Sequence, residues 1–297
     1  MTGFEEIYYA TDDGLKLYVR EYPGPGPDAP VVLCLHGLTR NSRDFHALAQ
    51  SLTAHFRVLV PEQRGRGRSE YDHDPARYAI MQYVLDMRGL LNELGVESVA
   101  VVGTSMGGLM TFALNALYPG VVTRAVINDI GPEIAEAGLE RIKSYVGIAG
   151  PFADWGEATR YLKQVSADIF PLWDDDQWAD FARQCYVERD DQIVIDYDPR
   201  IAEPLAGESS DTEAQTLWSL FEAMAGVPTL LVRGALTDLL SLSCVEKMQA
   251  IHSDMELLTV PEVGHAPMLN EPGVATAISA FLTRYVTVTA TRHSARV

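Results

Sequence analysis

Gly103-Thr104-Ser105-Met106-Gly107 lies between the apolar run Ser98-Val99-Ala100-Val101-Val102 and the run Leu109-Met110-Thr111-Phe112-Ala113-Leu114. The pattern reads as a strand, a tight turn and a helix, with a serine at the apex. A serine so placed is lifted out of the sheet, with its hydroxyl exposed above a helix N-terminus. Glycine on both sides answers a steric need, because a side chain at either flank would collide with the neighbouring strand or helix. Ser105 is therefore a candidate nucleophile. On these five residues alone, a turn that merely joins two elements would read the same way, so the rest of the chain has to decide.

Upstream, Ile7–Ala10 and Leu15–Val19 flank Asp12-Asp13-Gly14, a hairpin signal. Val31–Leu35 is a continuous apolar run, as expected of a strand covered on both faces. A helical pattern through Phe45, Leu48, Ala49 and Leu52 precedes a strand over Phe56–Val60, and a helix is expected from Tyr78 to Leu94. After the Ser105 turn, the helix stops at Pro119-Gly120 and a strand runs over Val122–Asp129. Strands alternating with helices at this pitch imply a parallel sheet with an antiparallel edge. From Gly131 onward about ninety residues carry helical patterning and no convincing buried strand. All four tryptophans (Trp155, Trp173, Trp178, Trp218) fall there, with Asp174-Asp175-Asp176 as a candidate helix start. The strand signal resumes at Thr229–Arg233. A helix around Val245–Ile251, a strand over Met255–Val260 and a closing helix over Val274–Tyr285 follow.

The formal net charge of −18 argues against a nucleic-acid partner, since binding phosphate needs a basic surface. The three cysteines, Cys34, Cys185 and Cys244, are odd in number and far apart. They suggest buried thiols in a reducing compartment and give no metal-ligand spacing. The N-terminus has neither a basic nor an apolar leader region, and no apolar stretch approaches the ~20 residues that cross a bilayer. The expectation is a cytoplasmic protein with a small-molecule substrate, no metal, no cofactor and no membrane partner. Its oligomeric state is not written in these residues.

A serine hydroxyl needs a base to take its proton, and the base needs a carboxylate to hold its tautomer. In an open parallel sheet the working groups gather beyond the carboxyl ends of the strands. Of seven histidines, His46, His55, His73, His252 and His293 lie in helical, loop or tail contexts, and His36 shapes the loop before Gly37. His265, in Val263-Gly264-His265-Ala266-Pro267 after the last strand, is the candidate base. For the acid, Asp238 after the strand ending at Arg233 is preferred. Asp129, at the end of the strand before the insertion, is the alternative.

Leu35-His36-Gly37-Leu38, Arg64-Gly65-Arg66-Gly67-Arg68-Ser69, Gly103–Gly107 and Gly264-His265 occur in the order of the landmarks of the α/β-hydrolase fold family, which the chain resembles over about Gly3 to Tyr285. The resemblance implies a mostly parallel eight-stranded α/β sheet with an inserted helical cap. It divides the chain into a core of 1–131 and 227–286, a cap of 132–226 and a polar tail of 287–297. It also implies an oxyanion hole built from the backbone N–H groups of Leu38 and Met106. The glycine-rich Arg64–Ser69 loop is expected to pack beside the Ser105 turn and not to bind an anion. Of the cap aromatics, Phe152, Trp155, Tyr161, Phe170, Trp173, Trp178 and Trp218, most should form the cap's own core, while one or two face the serine.

The activity implied is that of a serine hydrolase cleaving a small carboxylic ester or lactone, with Ser105, Asp238 and His265 as the catalytic residues. Relatives with the same triad hydrolyse C–C bonds of diketones or act as cofactor-free haloperoxidases and perhydrolases. A ligand-binding receptor on the same fold is the non-enzymatic alternative. Dehalogenase and epoxide-hydrolase relatives are disfavoured, because they carry aspartate where Ser105 stands.

Overall fold

The apolar runs assemble into one twisted sheet in the computed structural model, which describes residues 3–206 and 211–284. Its strands are β1 (Glu5–Ala10), β2 (Lys16–Tyr22), β3 (Val31–Leu35), β4 (Arg57–Pro61), β5 (Val99–Thr104), β6 (Val122–Asn128), β9 (Thr229–Gly234) and β10 (Glu256–Val260). They lie in the order β1-β2-β4-β3-β5-β6-β9-β10. The β1–β2 and β2–β4 pairs are antiparallel, and every other pair is parallel. The inner strands β3 and β5 are apolar on both faces because helices cover both. Helix α2 (Ile80–Glu93) and helix α3 (Met106–Leu117) belong to one packed cluster, and α1 (His46–Leu52) and α9 (Val274–Arg284) belong to the other. Helix α8 (Leu242–Ile251) links β9 to β10. The expected tail, 287–297, lies outside the described residues, as does Tyr285 at the end of the expected closing helix.

Between β6 and β9 the chain leaves the sheet. It forms α4 (Glu136–Tyr145), α5 (Trp155–Ser166), α6 (Asp175–Cys185) and α7 (Asp211–Glu222). Asp174 caps α6, taking the Gln177 N–H while the Gln177 side chain accepts from the Asp174 N–H. The aromatics condense around this pair of helices: Phe170 stacks on Trp173 at 3.7 Å, and Trp178 and Phe181 meet both edge-on.

This region is not purely helical, contrary to the sequence expectation. Tyr186–Arg189 (β7) and Gln192–Ile195 (β8) form an antiparallel hairpin. Its two turn residues, Asp190 and Asp191, both have positive φ. Aspartate tolerates that conformation less readily than glycine, so the usual turn signal is muted. The segment after the hairpin ties the insertion to the Arg64–Ser69 loop. The Gly67 N–H donates to the Asp196 carbonyl at 2.9 Å, and the Asp198 N–H donates to the Gly65 carbonyl at 2.7 Å.

Within that loop Arg64 is fully buried. It donates to both carboxylate oxygens of Asp86 (2.8 and 2.6 Å), to both of Asp13 (2.9 and 3.3 Å) and to Asp72. All five guanidinium hydrogens thus face carboxylates, so the arginine serves as a cross-link between β1–β2 and α2 and not as an anion receptor.

Candidate active site

Ser105 sits where β5 turns into α3, at φ 52° and ψ −115°. That is a strained conformation for a residue with a side chain. Glycines on both sides make it possible. A Cβ on Gly103 would run into the Gly107 carbonyl, and one on Gly107 would run into the Leu35 carbonyl of the neighbouring strand. The Ser105 N–H is held by the Asn128 carbonyl at 2.9 Å, while its own carbonyl accepts from the N–H groups of Gly108 and Leu109. Strand and helix thus grip the turn from both ends and leave the hydroxyl free to point outward.

His265 lies in the loop after β10, and its Nε2 is 2.9 Å from the Ser105 Oγ. Its Nδ1 is 2.9 Å from Oδ2 of Asp129. Asp129 follows β6, fully buried and at φ 59°. Its N–H donates to the Val232 carbonyl at 2.8 Å, and its Oδ1 accepts the Gly234 N–H at 2.9 Å. Both carboxylate oxygens are therefore occupied, and among the described residues the ionisable partner is His265. An acceptor at Nδ1 selects the tautomer with hydrogen on Nδ1, leaving the Nε2 lone pair toward the serine.

The structure brings Asp129, the alternative, to His265. Asp238, the preferred residue in the sequence, is engaged elsewhere. It forms a two-pronged ion pair with Arg141 of α4, Nε to Oδ2 at 2.6 Å and Nη2 to Oδ1 at 2.8 Å. The Arg141 hydrogen bond holds the Asp238 carboxyl below its usual range, against the opposing effect of burial. The physical reason for the exchange is a cation supplied by the insertion, 97 positions away in sequence.

Leu38 and Met106, the expected oxyanion donors, are positioned from one side by a residue that sequence reasoning set aside. Met106 is the first residue of α3, so its N–H is among those a helix leaves without an internal acceptor. Leu38 lies beside Ser105 in the wall of the same cavity. Behind them, fully buried Arg66 donates from Nε to the Leu38 carbonyl at 3.0 Å and from Nη1 to the Arg64 carbonyl (2.8 Å) and the Tyr83 hydroxyl (2.7 Å). Its Nη2 lies 3.9 Å from the Met106 sulfur. His36 braces the same loop. Its Nδ1 hydrogen goes to the Gly37 carbonyl (2.8 Å) and its Nε2 accepts the Gln63 N–H (3.1 Å). Burial lowers its pKa to about 4, so it stays neutral and keeps both bonds at neutral pH.

A cavity of about 150 Å³ opens above Ser105. The insertion supplies most of its apolar wall, including Ile142, Leu162, Val165, Ile169, Phe170 and Phe181. Of the seven aromatics named from the sequence, Tyr161 and Phe170 reach it, whereas Phe152, Trp155, Trp173, Trp178 and Trp218 do not line it. Two arginines also border it, Arg40 and Arg141. No local signal marks either one, since each is an isolated cation whose role depends on contacts far away in sequence. Among the described residues no group of three or more His, Cys, Asp or Glu side chains could hold a metal ion. Among them, too, no helix is long and apolar enough to cross a membrane.

Residues 30–272 match the family model of the alpha/beta hydrolase fold. The chain belongs to that family. It is 38% identical over 260 residues to the 3-hydroxybutyrate-oligomer hydrolase of Cupriavidus necator, covering 85% of this chain and 88% of that one. It is 29% identical over 258 residues to the 2-(acetamidomethylene)succinate hydrolase of Mesorhizobium japonicum, covering 84% and 85%. Among solved structures, an alpha/beta hydrolase from Novosphingobium aromaticivorans superposes with a TM-score of 0.89 at 44% identity, covering 96% of this chain and 99% of that one. The eight-stranded, mostly parallel sheet is the fold that the family implies, and the chain is an enzyme of the hydrolase class.

Proposed function

We propose that this hydrolase cleaves a small carboxylic ester through an acyl-enzyme, with Ser105 as nucleophile, His265 as base and Asp129 as the orienting acid. The observation that carries this reading is the unbroken hydrogen-bonded chain from the Ser105 hydroxyl through His265 to Asp129, which ends in an apolar cavity. As the Ser105 Oγ attacks the ester carbonyl, His265 Nε2 takes its proton. The resulting imidazolium is stabilised by the buried Asp129 carboxylate. The N–H groups of Leu38 and Met106 receive the oxyanion. His265 then returns the proton to the departing alkoxide, which leaves as the alcohol. Water, deprotonated by the same nitrogen, attacks the acyl-serine and releases the acid, restoring Ser105.

The similarity to the 3-hydroxybutyrate-oligomer hydrolase favours a short hydroxyacyl ester as substrate. The insertion, which lines the cavity, acts in this reading as the cap that selects it. Three unpaired, buried thiols support work in a reducing compartment, the cytoplasm.

A fluorophosphonate probe tests the nucleophile directly. Wild-type protein is expected to be labelled on Ser105, with labelling lost in Ser105→Ala. Folded wild-type protein that resists the probe would end the serine-hydrolase reading. Arg66→Lys tests the support behind the oxyanion donors. A single ammonium cannot reach Leu38, Arg64 and Tyr83 together, so kcat should fall on the order of 10²-fold through misplacement of the Leu38 loop. A variant as fast as wild type in steady-state assays would show that the loop holds itself.

A further inference from the structure

The geometry points to Arg141, set in place by Asp238, as the recognition group for a free carboxylate on the ester substrate. This inference rests on the ester-hydrolase reading above and names the chemical class of its substrate.

The cavity over Ser105 is apolar except for a few groups, and a carboxylate entering it would be strongly disfavoured without a partner. The enzyme as a whole makes matters worse for an anion, since its formal charge is −18. Two arginines border the cavity, and their employment differs. Arg40 has a partner at each of its three nitrogens: Nε and Nη2 go to Asp44 at 2.8 and 2.6 Å, Nη1 goes to the Cys185 sulfur, and its face covers the Phe181 ring at 4.4 Å. Arg141 gives one edge to Asp238, which takes Nε and Nη2. Its Nη1 lies outside that pair. A guanidinium gripped along one edge is pre-oriented to offer its remaining donors without losing side-chain freedom on binding.

Tyr145 lies one turn further along α4 and lines the same cavity. Burial pushes its hydroxyl pKa up, so it remains a donor at neutral pH and can share the carboxylate. Both residues belong to α4, so recognition comes from the insertion while the chemistry comes from the sheet. Arg141 is accordingly a specificity residue and Asp238 a positioning residue.

The test compares two substrates with the same scissile bond: the linear dimer of 3-hydroxybutyrate and its methyl ester, which lacks only the negative charge. For wild type, kcat/KM is expected to favour the acid by at least about tenfold, chiefly through KM. In Arg141→Gln that ratio should collapse toward one, and in Arg141→Lys it should recover only in part, because the point charge remains but the fork is lost. Active-site titration with the fluorophosphonate normalises each variant to its folded fraction, so a loss of folded protein leaves the ratio readable. A wild-type ratio of one or below, or a ratio that persists in Arg141→Gln, overturns the inference while leaving the ester-hydrolase reading intact. If wild type hydrolyses neither this pair nor short aryl esters, the ester-hydrolase reading fails and the inference goes with it.

Discussion

Asp129→Asn is expected to lower kcat by on the order of 10⁴, and Asp238→Asn at least a hundredfold less. The size of the first effect follows from how the carboxylate is held. The Gly234 N–H donates to Oδ1 of Asp129, so an asparagine there would keep its oxygen on that side and turn its NH₂ toward His265. His265 Nδ1 would then have to accept a hydrogen bond, which moves the ring hydrogen to Nε2, where it faces Ser105. The imidazole could no longer take the serine proton, although the fold and the spacing would be preserved. Asp238 has no such hold on the ring, because its two oxygens are bound to Arg141. Steady-state kinetics on a neutral short-chain ester separate the two variants. A larger loss in Asp238→Asn would return the role of acid to the loop after β9.

Arg64→Met should destabilise the protein by about 3–5 kcal/mol, the usual cost of removing one partner from a buried ionic cluster. The arginine is fully buried, and the side chains of Asp86 and Asp72 beside it are 1% and 6% exposed. Without it, three carboxylates would face one another with little water to screen them. Asp13 shows how strongly the cluster depends on the cation: hydrogen bonding to Arg64 is the chief cause that lowers its pKa to about 2. Urea unfolding followed by circular dichroism measures the change, and a loss below about 1 kcal/mol would contradict the cross-linking role.

The sheet was legible because its inner strands are buried on both faces and so appear as unbroken apolar runs, Val31–Leu35 among them. The Ser105 turn was legible because the close contacts at Gly103 and Gly107 exclude any larger residue. Which aspartate meets His265 was not legible, since Asp129 and Asp238 both follow parallel strands and the local sequence favoured Asp238. What separates them is long-range: Arg141 captures one, while the left-handed backbone at Asp129 directs the other to His265. The β7–β8 hairpin escaped because its strands are four residues each and its turn is Asp-Asp, without glycine. Arg66 was visible as part of a motif, but its bonds to Leu38 and Tyr83 cross 28 and 17 positions of sequence.

The register of β5 against β6 pairs Thr104 with Asn128, the residues immediately before Ser105 and Asp129. Ser105 and Asp129 therefore ride on adjacent strands, both completed before the chain departs into the insertion. In the proposed mechanism the loop after β9 takes no part in proton transfer. Substitutions at Asp238, or in the α4 face it touches, can retune which molecules are accepted while the hydrogen bonds from Ser105 through His265 to Asp129 stay in place. Such a separation lets selectivity drift while turnover persists, which makes this loop and α4 the natural place to redirect the hydrolase toward new substrates.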